Sequence, residues 1–568
     1  MLMYQKKEKA FGSDTPFRIF VDQAGYLPES RKIAVMPFGT DVFAVTDENG
    51  EKLYEGDVIR YGKDEISGDD VYLADFSEFR RPGSYRITAS GKTSALFRIG
   101  AGVYNNLFYS TAKVFYLLRC GCGLDERFAG KYAHKRCHVE LAESLEDGSM
   151  SDVKGGWHDA GDYGRYVTAG ACACAHLLYA YKLFPEVLSA LDLNIPESGS
   201  GVPDILSECR VELEWLLKMQ RADGAAYHKA TTMRHAPFIM PESDKSRMYI
   251  FTVSSSATAD LCAVCALAAG IYKNIDPSFS KRLHKAAERS YQWLEDHPEF
   301  VGFFNPTGCD TGLYAEESDI DNRYWAAAEL FALTGEKKYN ERFMSLFASP
   351  YFDGRSYIKT SLGYGQIGGF GSLAYVLAEH EGRSSDAVDF LKELIVGEAY
   401  WLRDKANKNA YKVSMEDWEF FWGSNMVLLQ HGIKLIIANL ITGQEEFYEY
   451  ALEQLHILLG KNALGICYVT GTGEYSPVRP HYRPSAADKI DEPVPGFVIG
   501  GPNRELSDPF AKELIPINTP PMKCYIDDER CYSLNEVTIY WNAPAVFLIA
   551  GIKDHERRRV ASSETASE

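Results

Sequence analysis

The chain has 568 residues, of which 46% are hydrophobic and 24% charged, and its formal net charge is −19 at pH 7. This length and composition indicate a globular protein with a sizeable core and more than one domain. The negative charge argues against binding to nucleic acid or to an anionic membrane, because both would repel the chain, whereas neutral or cationic substrates are compatible with it. No apolar run approaches the roughly 20 residues that would span a bilayer.

The first residues, MLMYQKKEKAFGSDTPF, include lysines but no apolar core of a signal peptide. Twelve cysteines in a chain of this length do not make a dense disulfide framework, and several of them, such as Cys172 and Cys262, lie in apolar helix-like runs typical of buried thiols. We therefore expect a cytoplasmic protein, or a secreted one if a signal peptide has been removed from this sequence. Residues 1–16 are interpreted as an N-terminal extension.

Residues 17–99 are predicted to form a small all-β domain. Six short runs of β-branched and aromatic residues are separated by turn signals such as DENG and RRPGS. These runs are FRIFV, KIAVM, VFAVT, VYLADF, SYRIT and ALFRI. Six or seven strands in so short a segment predict an immunoglobulin-like sandwich.

Residues 100–555 are predicted to form an all-α domain, followed by a C-terminal tail at 556–568. Apolar periodicity and capping residues predict twelve helices. They begin near residues 104, 167, 203, 256, 279, 322, 338, 368, 385, 424, 446 and 536. Long loops rich in Gly, Pro, Tyr and Trp lie between them, above all 461–534, and such loops are usually functional. Because no repeat of fixed period is present, we favour an (α/α)6 barrel over a helical solenoid.

The segment GGWHDAGDYGRYV, residues 155–167, places Asp159 and Asp162 three positions apart. A calcium loop also clusters aspartates around a glycine, but the following YGRYV adds no further carboxylate. The alternative is a pair of carboxylates that orients and deprotonates one water, with a distant acid that protonates a leaving group. Glu536, predicted in the first turn of the last helix, is the candidate for that acid, although a glutamate there also interacts favourably with the helix dipole.

Five segments occur in an order that resembles glycoside hydrolase family 9. They are GGWHDAGDYGRYV, GVPDILSECRVELEWLLKMQRADG, YVTGTGEYSPVRPHYRPSAAD, PVPGFVIGGPN and NEVTIYWNAPAVF, and FVDQAGYLPESRKIAVM resembles the amino-terminal immunoglobulin-like domain that many members carry. The match runs from about residue 17 to 551. The resemblance implies an (α/α)6 barrel that hydrolyses β-1,4-glucosidic bonds with inversion and needs no organic cofactor.

The resemblance also implies roles for single residues. Asp162 matches the general base, Asp159 the second aspartate that helps to hold the water, and Glu536 the general acid. Two neighbouring carboxylates then need not both be bases, because one can be ionised while the other accepts the second proton of the water in a hydrogen bond.

Further positions of the chain match substrate-binding residues of the family. His481 and Arg483 match residues that bind sugar hydroxyls beside the cleavage point, and Tyr482 stands where the family usually has a second histidine. The alternative interpretation of this proline-rich segment, which the context disfavours, is a proline-stiffened surface loop. Trp541 matches an aromatic position at which a flat ring can stack on a pyranose. Trp418 and Trp422 are possible platforms too, or core residues.

Cys120, Cys137, His138 and His158 form a two-cysteine, two-histidine set suited to a closed tetrahedral zinc site. Their spacing is not a finger pattern, but family members with the immunoglobulin-like domain are similar here and bind zinc. Cys122 competes with Cys120 for the first position. A complete ligand set implies a structural zinc, with His158 tethering the catalytic turn, and the alternative is four buried core residues without metal.

The resemblance makes a calcium ion possible as well. The family often binds calcium just before a Trp-Ala-Ala helix, where this chain reads EESDIDNRYWAAAEL. Here Asp321 is followed by Asn322 rather than glutamate, and the loss of one carboxylate weakens the predicted site.

We therefore predict an inverting β-1,4-glycosidase, exo-acting on short cello-oligosaccharides, as a cellodextrinase or β-glucosidase would be. The alternatives are an endo-β-1,4-glucanase on soluble polymer and an exo-β-glucosaminidase on chitosan oligosaccharides, which an acidic protein would suit. A non-catalytic sugar-binding protein is a further class, disfavoured by the presence of all three acids. An oligosaccharide is the expected partner, with no nucleic acid and no membrane, and the oligomeric state is not predicted.

Overall fold

The computed structural model describes residues 18–352 and 356–567, so the predicted N-terminal extension lies outside the described residues. The chain divides into two compact units. The first contains the residues up to Val114 together with Ala399–Val537, and the second contains Phe115–Glu398 together with Thr538–Glu568.

The first unit begins with a seven-stranded sheet in the order β1-β4-β3-β2-β5-β6, with β7 paired to β5. The strands are β1 (Ile33–Met36), β2 (Val42–Thr46), β3 (Lys52–Lys63), β4 (Asp70–Asp75), β5 (Gly83–Ala89), β6 (Lys92–Thr93) and β7 (Phe97–Ile99). The first half of β3 pairs with β2 and its second half with β4. A strand that changes partners in this way turns the sheet into the two layers of a sandwich.

The core of this sandwich is aromatic. Tyr26 lies edge-on to Phe76 and to Phe97, with ring centroids 5.3 and 5.5 Å apart. Five of the six predicted strands are observed, whereas within the described part of FRIFV only isolated bridges form, at Ile19 and Phe20. The prediction missed β3, because most of its twelve residues are at least partly exposed and carry no apolar alternation.

The rest of the first unit is helical. Its helices are α12 (Ser424–Thr442), α13 (Glu445–Leu458), α14 (Arg483–Ala487), α15 (Pro509–Leu514) and α16 (Tyr532–Asn535). Helix α13 packs on α12. Buried polar contacts join this part to the sandwich, since Asp22 pairs with His456 of α13 at 2.7 Å and the Gln23 amide donates to the Gly465 carbonyl at 2.8 Å. Burial raises the pKa of Asp22 and lowers that of His456.

The second unit contains most of the remaining helices. They are α2 (Glu126–Ala129), α3 (Val167–Leu183), α4 (Pro185–Ser189), α5 (Asp204–Met219), α6 (Ser255–Tyr272), α7 (Pro277–Asp296), α8 (Ile320–Thr334), α9 (Lys337–Phe347), α10 (Gly368–Leu377) and α17 (Ile539–Ser567). Helices α1 (Asn105–Leu117) and α11 (Ser385–Ala406) contain residues of both units.

Short strands connect the helices of the second unit. They are β8 (Ala142–Ser144), β9 (Met150–Ser151), β10 (Arg165–Tyr166), β11 (Ala226–Tyr227), β12 (Lys229–Thr231), β13 (Tyr249–Ile250) and β14 (Val253–Ser254). One sheet has the order β10-β12-β13-β8-β9, and β11 pairs with β14. Strand β10 directly follows the turn at residues 155–164 that is described below.

Helices buried almost all round alternate along the chain with helices that bury one face. In the second unit α17 packs on α3, α3 on α6, α6 on α8 and α8 on α10. The intervening α5, α7 and α9 are amphipathic, as helices at a surface should be. Each of the twelve predicted helix starts lies within three residues of an observed start. Local signals account for this accuracy: the Asp276 side chain caps α7 ahead of Pro277, and Gly335 ends α8 at φ 72°.

Two helices, α6 and α12, are long and apolar enough to cross a membrane by length and composition. In their most apolar windows, 89% of the residues of α6 and 72% of those of α12 are buried inside the structure. Their apolar character is thus accounted for by packing against other parts of the chain.

Candidate active site

The turn at residues 155–164 is built on two glycines in the left-handed region. Gly155 has φ 108° and Gly156 has φ 73°, and a Cβ at Gly156 would lie 2.8 Å from the Glu212 carboxylate. That carboxylate accepts the Trp157 backbone N–H at 2.6 Å. Because left-handed backbone favours glycine, these positions determine how the chain enters the turn.

Backbone hydrogen bonds hold the turn from both sides. The His158 N–H donates to the Leu118 carbonyl at 2.8 Å, and the Asp159 N–H donates to the Gly164 carbonyl at 2.9 Å. The Asp159 carbonyl accepts from the N–H of Ile539, the first residue of α17, also at 2.8 Å. The turn is therefore fixed by segments far apart in the sequence.

Both aspartates of the turn are buried and receive hydrogen bonds from phenols. The Tyr314 hydroxyl donates to Asp159 Oδ2 at 2.5 Å, and the Tyr166 hydroxyl donates to Asp162 Oδ2 at 3.3 Å. Burial raises the pKa of each tyrosine, and the nearby carboxylates raise it further. The two phenols therefore keep their protons and act as donors to the acids.

An imidazole also contacts the second aspartate. His235 Nδ1 lies 3.1 Å from Asp162 Oδ2, and the His235 ring is partly exposed. On this side, Asp162 therefore contacts an imidazole that is accessible to solvent. A carboxylate in such surroundings can hold a water and accept its proton.

Tyr314 and His235 were missed by sequence reasoning. Neither belongs to the segment 155–167, and neither carries a local pattern that distinguishes it from other tyrosines and histidines. Tyr314 is 155 residues from Asp159 and sits at φ 46°, a conformation uncommon for a residue other than glycine. Only the folded chain reveals this contact.

Glu536 lies in the first unit, between two helices. Helix α16 ends at Asn535 and α17 begins at Ile539, so the predicted place of Glu536 in the first turn of a helix is wrong. Its backbone is held instead in short bridging contacts: the Glu536 carbonyl accepts the Gly500 N–H at 3.0 Å, and Glu536 bridges to His481. An interaction with the α17 dipole therefore does not explain this glutamate, whose side chain is partly exposed.

The first unit also places His481 on a backbone segment that bridges to Glu536. The His481 N–H donates to the Asn535 carbonyl at 2.8 Å, and His481 Nδ1 lies 2.6 Å from the Glu529 carbonyl. Arg483 begins α14 and is buried. Tyr482 is buried too and packs on Phe497 with ring centroids 4.8 Å apart. The tyrosine that replaces the family's histidine is thus a core residue.

The predicted tryptophan platforms differ in exposure. Trp541 lies on α17 in the second unit and is only 2% exposed, so its stacking on a sugar stays a prediction. Trp418 and Trp422, in the first unit, are 63% and 39% exposed, and Trp422 lies 5.3 Å from the Tyr532 ring. The core role considered for these two residues does not fit that exposure.

Cys120, Cys137, His138 and His158 converge in the second unit. Their sulfur and nitrogen atoms all lie within 4.8 Å of one another, and all four residues are buried. Among the described residues this is the one such cluster, and it selects Cys120 over Cys122. Two thiols and two imidazoles match the tetrahedral ligand set of a structural zinc.

The electrostatics of the cluster favour a thiolate. Burial alone raises the pKa of Cys120, but the Cys137 thiol, the charge of Arg165 and the two histidines lower it well below its ordinary value. A thiolate is the form that binds a metal. His158 also precedes Asp159, so one side of this cluster is continuous with the turn that carries the two aspartates.

The possible calcium site has a different character. Asn322 donates its amide to Asp260 at 3.0 Å, with Glu316 at 3.4 Å, and Asp321 accepts the Ile367 N–H at 2.8 Å. Burial raises the pKa of Asp260 and Glu316, and that of Asp321 to about 6. Calcium takes six to eight oxygen ligands, whereas these carboxylates face an amide nitrogen and a backbone N–H. We therefore do not propose calcium here.

Comparison with known proteins assigns the family. The family model for glycosyl hydrolase family 9 matches residues 104–549, and the model for the cellulase N-terminal Ig-like domain matches residues 14–94. A cellodextrinase from Butyrivibrio fibrisolvens is 44% identical over 550 residues, which cover 94% of this chain and 99% of that protein.

Solved structures of family 9 proteins superpose closely on this chain. The structure of AaCel9A in complex with cellobiose-like isofagomine superposes with a TM-score of 0.88 at 34% identity and covers 94% of this chain and 99% of its own. A Zn-binding triple mutant of the family 9 endoglucanase J30 superposes with a TM-score of 0.85 at 35% identity, over 93% of this chain and 99% of its own. These findings confirm the predicted fold class, an immunoglobulin-like sandwich followed by an (α/α)6 barrel, and the predicted enzyme class. The chain is therefore a member of glycoside hydrolase family 9, an enzyme that hydrolyses O-glycosidic bonds.

Proposed function

We propose that this enzyme cleaves the β-1,4-glucosidic bonds of short cello-oligosaccharides from one chain end, with inversion of the anomeric centre. The observation that carries the proposal is the 44% identity with a cellodextrinase over nearly the whole of both chains. The buried aspartate pair, with phenols donating to both members, supports a hydrolytic site. No metal or organic cofactor takes part in the bond cleavage that we propose.

In this proposal Asp162 is the general base that removes a proton from the attacking water. Asp159 accepts the second proton of that water in a hydrogen bond, while Tyr314 holds its carboxylate. Glu536 is the general acid that protonates the departing sugar oxygen. An inverting mechanism needs acid and base about 6.5–9.5 Å apart, which leaves room for the water.

His481 and Arg483 are proposed to bind sugar hydroxyls, and Trp541 to stack on a pyranose. The bridge between His481 and Glu536 supports the first part, because it keeps the two residues on neighbouring backbone segments. Trp541 lies on α17, three residues after Thr538. The proposal that its ring stacks on a pyranose is supported only by its place in the family motif.

We propose a structural zinc on Cys120, Cys137, His138 and His158. The chemistry of the donors supports zinc, and a triple mutant of the family 9 endoglucanase J30 is described as Zn-binding. When bound, zinc would hold the four side chains together and leave no open position for water. His158 would then tether the turn that carries Asp159.

We also propose a chain organisation with a sandwich at 17–99, a catalytic domain at 100–555 and a tail at 556–568. The end of β7 at Ile99 and the start of α1 at Asn105 support the first boundary. Helix α17 runs on to Ser567, so the proposed tail continues a helix. Ten of the twelve cysteines are buried, as unreactive structural thiols usually are, and this supports our proposal of a reducing, cytoplasmic location.

The product profile tests the proposed action. On cellohexaose we expect release of one small product from the start of the reaction, with the first-formed hemiacetal in the α configuration by NMR, as inversion requires. Asp162→Asn protein serves as the control for contaminating activity. A ladder of mid-sized products would instead establish the endoglucanase that the likeness to endoglucanase J30 favours, and glucosamine release from chitosan oligomers would establish the exo-β-glucosaminidase.

Replacing Tyr314 by phenylalanine tests the hydrogen bond to Asp159. A hydrogen bond to a charged group contributes about 1.5–3 kcal/mol, so we expect kcat/KM to fall about 10- to 150-fold. Tyr364→Phe is the matched control, because it removes a neighbouring phenol hydroxyl whose ring lies 4.9 Å from that of Tyr314, centroid to centroid. Equal losses in both variants would show that the effect is not specific to the hydroxyl that donates to Asp159.

A further inference from the structure

One loop of the second unit touches the catalytic turn and the metal cluster at three points. This loop, residues 233–246, connects β12 to β13, and we call it the strap. His235 of the strap contacts Asp162 at 3.1 Å. The Ile239 carbonyl accepts the Tyr163 hydroxyl at 2.5 Å, and Asp244 lies 3.5 Å from His138.

The orientation of the His138 ring separates its two nitrogens. Nδ1 lies 3.1 Å from His158 Nε2 and 3.9 Å from Cys120 Sγ, so it faces the other metal ligands. Nε2 faces Asp244 Oδ2 at 3.5 Å. A neutral imidazole that binds a metal through Nδ1 carries its proton on Nε2. That proton points at the Asp244 carboxylate.

Asp244 is itself held in place. It is buried, and its Oδ1 accepts the Ser246 N–H at 2.9 Å, which leaves Oδ2 directed at His138. His138 has φ 48°, a left-handed conformation that is uncommon for histidine. A ligand on such a backbone benefits from a partner that fixes the direction of its ring, because metal affinity depends on ligand orientation.

Tyr163 packs the ligand histidines from the side of the catalytic turn. Its ring centroid lies 5.2 Å from that of His138 and 5.0 Å from that of His158. Since Tyr163 follows Asp162 directly and its hydroxyl bonds the strap, the metal cluster, the turn and the strap form one connected unit.

We propose that Asp244 is a positioning residue of the metal site: it accepts the Nε2 proton of His138 and so keeps Nδ1 directed at the zinc. The inference rests on the structural zinc proposed above. It adds a fifth residue to the site, one that binds no metal. Asp244 and the His235 that contacts the proposed general base both belong to the strap, so this one loop links the metal site to Asp162.

Zinc affinity tests the proposal without any use of catalysis. In competition with a chromophoric chelator, Asp244→Ala should bind zinc about 10- to 100-fold more weakly than the unmodified enzyme, the loss typical when a supporting partner of a metal ligand is removed. Asp244→Asn should recover part of this loss, because its amide oxygen can still accept the proton. Lys245→Ala, at the exposed neighbouring position of the strap, should bind zinc as the unmodified enzyme does.

The outcomes separate this inference from the proposals on which it rests. Unchanged zinc affinity in Asp244→Ala, with zinc bound by the unmodified enzyme, overturns the role of Asp244 and leaves the zinc site standing. An unmodified enzyme that binds no zinc overturns both. If Asp244→Ala does not fold, the same chelator competition on Asp244→Leu decides, because leucine fills the space and has no acceptor; affinity equal to that of Lys245→Ala then contradicts the proposal. Hydrolytic activity bears on none of these results.

Discussion

Asp162→Asn is expected to lower kcat/KM on cellohexaose by about 10²–10⁴-fold, the range that a positioned general base contributes. The amide has nearly the shape of the carboxylate and can still accept from the Tyr166 hydroxyl, which donates to Asp162 at 3.3 Å. It cannot accept a proton from water. The loss should therefore appear in kcat, with the fold intact by circular dichroism and thermal unfolding.

The leaving group distinguishes the base from the acid. With a dinitrophenyl cellobioside the departing phenolate needs no proton, so Glu536→Gln should recover much of its activity on this substrate. Asp162→Asn should not recover, because the water still has to be deprotonated. If Asp162→Asn hydrolysed cellohexaose at the normal rate, the assignment of the base would be wrong. Recovery of Asp162→Asn rather than Glu536→Gln would reverse the two roles.

Replacing two of the proposed zinc ligands should have the second largest effect among these variants, through the loss of zinc and of thermal stability. Metal analysis of the purified enzyme is expected to find about one zinc per chain, and the double variant Cys137→Ser, His138→Ala should contain none. A ligand present at a thousandfold excess over its dissociation constant stabilises the folded state by about 4 kcal/mol, so the variant should unfold at a clearly lower temperature. Activity should fall as well, because His158 is continuous with the catalytic turn.

Cys122→Ser is the matched control for this experiment. Cys122 is two residues from Cys120 and competes with it in the sequence, yet it is not part of the four-residue cluster. It should keep the zinc and the stability of the unmodified enzyme. A metal-free enzyme of unchanged stability, or a loss of zinc from Cys122→Ser, would contradict the site as assigned.

Much of the fold was predictable because its signals are local. Capping residues and apolar periodicity located the starts of twelve helices within three residues, as at Pro277, whereas the short helices α2, α4, α14, α15 and α16 were not predicted. The same reasoning failed for β3, whose side chains are mostly exposed, and for Glu536, which precedes α17 rather than lying inside it. The Glu536 backbone is held by pairing with segments distant in the sequence, which no local pattern records, whereas β3 pairs with its sequence neighbours β2 and β4.

Some residues of the candidate site were likewise predictable from the sequence, and others were found only in the structure. Asp159, Asp162 and the set of cysteines and histidines could be proposed from residue chemistry and family motifs, because the acids and His158 share one short turn. The choice of Cys120 over Cys122, the donation from Tyr314 to Asp159, and the contacts of the strap through His235 and Asp244 were decided only by the tertiary structure. Sequence alone determined which groups could perform the chemistry. Their mutual distances depend on contacts between segments that can be more than a hundred residues apart, and those contacts exist only once the core has packed.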